Sequence, residues 1–303
     1  TFDESLGIYN RTTETFGPIF AERPLTIGKG KFSFAVNYQH GTWDRFEGQD
    51  LSGGGLDLYL THEDTNQDGD MLNLWFEGDI IKADLGIDLK TDTTVFAANY
   101  GLTERLDVGV AVPLQRVDMS ARIDTSIEPL ATSADPAVIH QFEAGGSEFT
   151  YLESGSASGV GDVVVRGKWN FYRGGSASAA VGTDLRLPTG DEEDLLGSGA
   201  TQAKLYAVLG GSPGRFSPRA SFGYTFSSGG SDFTGDLPDE LSYTAGFDLA
   251  LHPRLTVAAD FLGRTLLDAQ RLVETQETFR YRTRTDPTVR ETTRTTPGSE
   301  SGN

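Results

Sequence analysis

Three stretches carry residue types whose spacing could do chemistry. Asp64-Thr65-Asn66-Gln67-Asp68-Gly69-Asp70 places oxygen-bearing side chains at alternate positions with a glycine after the third, the D-x-N-x-D-G spacing of a calcium loop. Alternate side chains can converge on one hard cation, and the glycine permits the sharp turn. The position that should supply a closing bidentate Glu is Trp75, so the EF-hand form is incomplete and a solvated acidic loop is the plainer reading. Gly210-Gly211-Ser212-Pro213-Gly214 fits the G-x-S-x-G pattern of a nucleophile elbow. That motif needs a strand-to-helix turn with His and Asp partners, whereas strand-like runs flank it here, so it reads as a turn. His40, His62, His140 and His252 show no metal-ligand spacing. The expectation is therefore no enzyme, and no cofactor beyond a calcium ion held by Asp64, Asn66, Asp68 and Asp70.

The third feature is a set of charges interleaved with apolar residues. Asp162, Arg166, Lys168, Asp184, Arg186, Lys204 and Arg219 all fall on the polar side of alternating segments. On a lipid-facing surface each would cost about 2–4 kcal/mol near mid-membrane, so they are expected to line an interior. There they either select solutes by charge or pair with one another to fill a narrow barrel. Pro113 also stands out, because proline inside a strand removes a ladder hydrogen bond.

The elements that must position these residues are strands. Between residues 94 and 114, Phe96, Ala98, Tyr100 and Leu102 alternate with small or polar residues. After the turn Thr103-Glu104-Arg105, Leu106, Val108, Val110, Val112 and Leu114 do the same. Comparable units recur at 29–44, 82–102, 105–124, 160–172, 177–187, 200–209, 215–227, 241–251 and 255–262. In the second, apolar residues sit at Leu85, Ile87 and Leu89 but then at Phe96, Ala98 and Tyr100. That change of parity predicts a bulge near residues 92–94. Residues 56–60 and 71–76 read as short strands outside the main sheet.

Short connections (103–105, 173–176, 210–214, 252–254) alternate with long ones (45–80, 125–158, 188–199, 228–239, 263–303). This is the asymmetry of outer-membrane barrels, with short periplasmic turns and long outer loops. Aromatics at strand ends, Tyr100, Trp169, Phe171 and Phe216 on one side and Phe226 and Tyr243 on the other, would form two girdles. The fold class is thus all-β, an antiparallel up-and-down transmembrane β-barrel with about nine strands in this sequence. Bacterial barrels use an even number, so at least one return strand is expected beyond Asn303, and twelve in the full-length protein. Residues 1–29 read as an irregular periplasmic arm with Phe16, Ile19 and Phe20 as docking residues, and 30–303 as the barrel. Residues 275–284 and 288–295 read as an exposed hairpin turning at Asp286-Pro287.

Composition sets the outer bounds. The 303 residues include 37 glycines and no cysteine, and carry a formal charge of −19. That charge excludes nucleic acid as a partner, because phosphate binding needs a basic surface. Without cysteine there is no disulfide framework or thiolate chemistry. Mean hydropathy is −0.33, low for helical membrane proteins but normal for a barrel whose strands hide half their residues in a polar lumen. The chain opens at Thr1, as a mature or trimmed form would.

Three segments resemble the bacterial family of the MetA pathway of phenol degradation. They are Arg23-Pro24-Leu25-Thr26-Ile27-Gly28-Lys29-Gly30-Lys31-Phe32, Asn99-Tyr100-Gly101-Leu102-Thr103-Glu104-Arg105-Leu106-Asp107-Val108-Gly109-Val110-Ala111-Val112-Pro113, and 161–191 from Gly161-Asp162-Val163 to Leu187-Pro188-Thr189-Gly190-Asp191. The resemblance spans most of residues 23–262 and implies an outer-membrane barrel loosely related to FadL-type transporters of hydrophobic compounds. The expected function is passive uptake of small solutes, hydrophobic or aromatic ones among the candidates, by a monomer set in outer-membrane lipid and lipopolysaccharide. The resemblance also gives Pro113 a sharper reading than a bulge, a wall gap through which an apolar solute leaves sideways. The alternative function is a plugged structural or adhesion barrel whose acidic outer loops bind extracellular partners.

Overall fold

The structure is a computed structural model describing residues 2–3, 8–9, 22–46, 48–52, 56–70, 72–133, 140–211, 215–231, 235–252 and 255–301. Phe16, Ile19 and Phe20 lie outside these, as do Ser212, Pro213 and Gly214. In chain order the strands are β1 (Phe2–Asp3), β2 (Ile8–Tyr9), β3 (Phe32–Trp43), β4 (Arg45–Phe46), β5 (Gln49–Asp50) and β6 (Asp57–Thr61). A 3-10 turn, η1 (Trp75–Gly78), precedes β7 (Ile80–Gly101), β8 (Leu106–Glu128), β9 (Glu148–Val160), β10 (Val163–Arg173), β11 (Ala177–Leu187) and β12 (Thr201–Gly211). The rest are β13 (Phe216–Ser228), β14 (Gly230–Ser231), β15 (Gly235–Asp236), β16 (Asp239–His252), β17 (Leu255–Leu267), β18 (Gln270–Tyr281) and β19 (Arg290–Ser301). Among the described residues no helix is long and apolar enough to cross a membrane, which says nothing of crossing by strands.

Nine strands form one curled antiparallel half-barrel in the order β17-β16-β13-β12-β11-β10-β8-β7-β3. Each pairs with its neighbour in sequence among these nine, the up-and-down topology expected from the alternating segments. The register joins like with like. Val165 faces Val110 and Leu185, and Phe222 faces Ala207 and Tyr243, all on one side. On the other side Asp184 lies between Arg166 and Lys204. The first set forms an outer face that is apolar and exposed, with Leu205, Leu209, Phe222 and Phe261 all more than half accessible. The second set forms an inner face where Asn170, Val208 and Arg219 are buried.

Long inner side chains need room, and glycine supplies it. Gly246 lies opposite both Arg219 and Asp260, and a Cβ there would fall on the Asp260 carboxylate. Much of the glycine content therefore answers to interior packing rather than to turns.

Three expectations are corrected. No bulge occurs at residues 92–94: β7 keeps unbroken register with β3 and β8 throughout that stretch. The parity change is a change of which face is apolar. Beyond Thr94, Asp88, Lys90 and Asp92 point outward, while Leu85, Ile87 and Leu89 point inward. Residues 125–158 are not all connection, because β8 runs to Glu128 and β9 pairs with its upper half. Of the two short strands expected outside the sheet, β6 pairs with β7 inside it, and 71–76 contains no strand among its described residues but leads into η1. The hairpin β18–β19 forms its own two-stranded sheet.

Candidate functional site

The inner face is organised around two clusters of paired charge. In the first, Arg166 of β10 makes a bidentate bond with Asp184 of β11, at 2.8 and 2.7 Å. Glu22 joins from the N-terminal segment, 3.3 Å from Arg166 and 3.2 Å from Lys168. Lys168 also donates to the Arg23 carbonyl at 3.1 Å, and the Arg166 guanidinium stacks over the Tyr206 ring. In the second cluster Arg219 bridges Asp248 at 2.8 Å and Asp260 at 2.6 Å, and Arg23 also pairs with Asp248. Each cluster holds two positive and two negative groups. The interior is therefore polar but locally neutral, which is how charges are kept at low cost away from bulk water.

Residues 22–28 cross this face near the short turns. Asp107 accepts the Ile27 N–H at 2.9 Å, and the buried Asn170 amide donates to the Pro24 carbonyl at 2.9 Å. A cavity of about 450 Å³ lies beside the segment, bordered by Arg23, Lys31, Arg173 and Arg219 among others.

The remaining expected residues lie apart from these clusters. Arg186 is exposed and donates to Gln202 at 3.0 Å. Lys204 sits beside Asp184 in register, with no ion pair within 4 Å among the described residues. Asp162 anchors a loop rather than joining an ion network. It lies at the break between β9 and β10 and accepts from the Gly190 N–H, the Ser198 N–H and the Ser198 hydroxyl, at 3.1, 2.9 and 2.6 Å. Thr189 adds a bond from its hydroxyl to the Gly161 carbonyl. The loop 188–199 is thereby folded onto the inner face, and its residues 195–198 close a cavity of about 400 Å³ with Val95, Pro113 and Arg186.

Pro113 forms part of the same feature. Its ladder to β7 is intact, with Val95 as partner. On its other flank β9 ends at Val160 and β10 begins at Val163, and three steps from Leu114 to Ala111 face four from Val160 to Val164. In an antiparallel strand a residue's N–H and C=O point the same way. The Pro113 carbonyl accepts Gly161 N–H at 2.8 Å on this flank, so the missing N–H also points at the break. One extra residue, a bulge, is how the sheet absorbs the proline.

In the loop 64–70 the carboxylates cap backbone N–H groups: Asp64 that of Gly69, Asp68 that of Asp70, and Asp70 that of Leu72. Asn66 donates to Asp68. Among the described residues no three His, Cys, Asp or Glu side chains stand together as a metal cluster. His62 and His140 lie side by side, and His140 bonds the buried Asp79. The G-x-S-x-G stretch links strand β12 to strand β13, and its Ser212 lies outside the described residues.

Sequence reasoning missed Glu22, Arg23, Asp248 and Asp260. Asp248 and Asp260 were within reach, since each alternates with apolar neighbours (Phe247 and Leu249, Ala259 and Phe261) as the others do. Glu22 and Arg23 carry no such signal, because their segment has no periodicity. In comparison with known proteins, the profile of the family described as "Putative MetA-pathway of phenol degradation" matches residues 64–265. No curated protein matches the sequence.

Proposed function

We propose that this chain, which belongs to the family of the MetA pathway of phenol degradation, is an outer-membrane channel for passive uptake of small solutes. The observation that carries the reading is the division of one curled sheet into two faces. The outer face is apolar and bears no charge between the turn ends and residue 94 of β7, while the inner face gathers the paired charges. A soluble sheet puts its polar face towards water and its apolar face inward; this one does the opposite, as a barrel in lipid requires. The family's pathway makes a small aromatic compound the natural cargo, with the ion pairs setting the polarity of the route. No reaction and no cofactor are needed for such transport. Outer-membrane lipid and lipopolysaccharide are the surrounding partners, and a monomer suffices.

Two specific observations favour a gated or closed route over a wide pore: residues 22–28 cross the inner face, and loop 188–199 is folded onto it. A sideways exit for an apolar solute would have to part the bulge beside Pro113, which the Gly161 N–H bond to the Pro113 carbonyl holds closed in this structure. Planar-bilayer recording on the refolded protein tests the reading. Steady conductance supports a pore. Silence combined with solute uptake into loaded vesicles supports the sideways route, and silence without uptake leaves the plugged structural barrel. Recovery of the protein in the soluble fraction without detergent would overturn all three.

A further inference from the structure

Loop 64–70 has the alternation of a calcium site but lacks its closing carboxylate, because Trp75 occupies the expected position. The fold brings one from two residues further along. Glu77 of η1 is buried, and its Oε1 accepts the Thr65 N–H at 2.7 Å, which fixes the carboxylate against the head of the loop. Its second oxygen, Oε2, is shut off from solvent and has no hydrogen-bond partner. Asp64 shows the same pattern. Its Oδ2 accepts the Gly69 N–H at 2.7 Å, while Oδ1 is buried and unpartnered. Asn73 adds a third such oxygen, Oδ1, and its amide donates to Asp68.

A buried oxygen without a partner is destabilising, and more so when it carries charge. Here three are tied by hydrogen bonds to one seven-residue loop. Arg282 donates to the Asn73 carbonyl, and its Nε is itself buried without a partner. The local charge is negative, since residues 64–77 hold Asp64, Asp68, Asp70 and Glu77.

We propose that residues 64–77 bind one divalent cation of the calcium class, with Asp64 and Glu77 as the buried ligands and Asp68 and Asp70 closing over it. No preassembled cluster exists among the described residues, so the exposed Asp68 and Asp70 turn inward on binding and give up part of their bonds to the loop N–H groups. Calcium suits this set better than magnesium. Calcium takes six to eight oxygens in flexible geometry, whereas magnesium demands near-ideal octahedral placement and keeps its water. A site that must close on binding belongs in the weaker range, Kd about 10⁻⁴–10⁻³ M. The inference is independent of the channel reading.

Isothermal titration of the full chain, folded in detergent, with CaCl2 and with MgCl2 is the test. One calcium per chain is expected, with magnesium at least about tenfold weaker. Glu77→Gln and Asp64→Asn should each weaken calcium at least about tenfold, and Asp68→Asn less. Glu148→Gln, an exposed acid on β9, should leave the affinity unchanged. Calcium should also slow amide exchange across 64–77 in the unmodified protein. The inference is overturned by absence of saturable heat, or by Glu77→Gln binding as tightly as the parent, which would mean diffuse attraction to surface acid. It is equally overturned if Arg282→Gln abolishes the exchange protection without calcium present, since the carboxylates would then serve that guanidinium. Should Glu77→Gln fail to fold, Asp68→Asn, changed only at the exposed rim, still decides.

Discussion

Arg219 is the residue whose removal should hurt the fold most. It projects from β13 to the inner face with its side chain only 3% exposed, and it is shared by Asp248 and Asp260, which are 14% and 6% exposed. Replacement by Met keeps the length of the chain and removes the charge. Removing one partner from a buried ion pair costs about 3–5 kcal/mol, because the carboxylate left behind is neither solvated nor paired. The structure places the expected cost towards the lower end, about 3–4 kcal/mol, because Asp248 keeps Arg23 as a partner. Asp260 bears most of the loss. Arg219→Met with Asp260→Asn should therefore recover stability to within about 1–2 kcal/mol of the parent, since it deletes the stranded charge together with its partner. Urea unfolding of protein refolded into lipid vesicles, followed by tryptophan fluorescence, measures both. Arg186→Gln serves as the control: Arg186 is exposed, and its change should stay within about 0.5 kcal/mol. A cost below about 1 kcal/mol for Arg219→Met, or a double variant no better than the single, would refute the view that paired charge fills this interior.

Three further outcomes are expected. Asp162→Ala leaves the N–H groups of Gly190 and Ser198 unpaired at a local cost of about 1–3 kcal/mol; hydrogen exchange at those two amides should accelerate while the amides within β11 stay protected. Gly101→Val puts a side chain where the Gly28 carbonyl lies, so residues 22–31 should detach, seen as faster tryptic cleavage after Lys29 and Lys31 with the strand content of the circular dichroism spectrum unchanged. In the turn between β18 and β19, the Thr288 hydroxyl and N–H, followed by Arg290, hold the Asp286 carboxyl down to about 2. A lowered folded value means that its contribution is present above the ordinary carboxylate range and is lost as pH falls through about 2. An NMR titration of that carboxyl with a midpoint near 4 would show that the turn bonds do not persist in solution.

How much of this was legible in the sequence follows from what enforces each feature. A sheet with unlike media on its two faces forces alternation on every strand, so all nine strands, their order and the inward side of Arg166, Asp184 and Arg219 could be read from period two. The position of residues 22–28 could not, because a segment lying across a sheet is fixed by single bonds, such as Ile27 to Asp107, rather than by a repeat. The anchoring role of Asp162 was hidden for a related reason. Its parity matches the inner face, but its partners Gly190 and Ser198 come from a loop whose folding inward leaves no periodic trace. Glu77 was invisible as a candidate ligand because it sits two residues beyond the position that the loop pattern names, and only the 3-10 turn brings it back to Thr65.

The hairpin of β7 and β8 shows why alternation has to be read together with the surrounding medium. Its parity change looks like a slipped register, and a slip would indeed exchange the two faces. Yet the pairs run without interruption from Ile80–Glu128 to Gly101–Asp107, so the side chains never change sides. What changes is the preference of the outward side. It carries Phe96, Val108 and Val110 near the turn, but Lys90 and the pairs Arg116–Asp118 and Arg122–Asp124 above. Charges at the lipid midplane cost about 2–4 kcal/mol each, so on the proposed reading the lipid must end near Thr94 and Leu114, which are opposite one another. The apolar outward run from Leu106 to Leu114 then spans nine residues, within the roughly 9–11 that a tilted strand needs to cross the apolar band of an outer membrane. One neighbouring strand changes at the same level: β9 gives way to β10 beside Pro113. On the other flank β3 runs on past Thr94 to Trp43 opposite Leu89, before β6 resumes the pairing at Asp84. The bulge, the proline and the switch of polarity thus mark one boundary, and above it the hairpin stands as a soluble sheet with its apolar side turned inward.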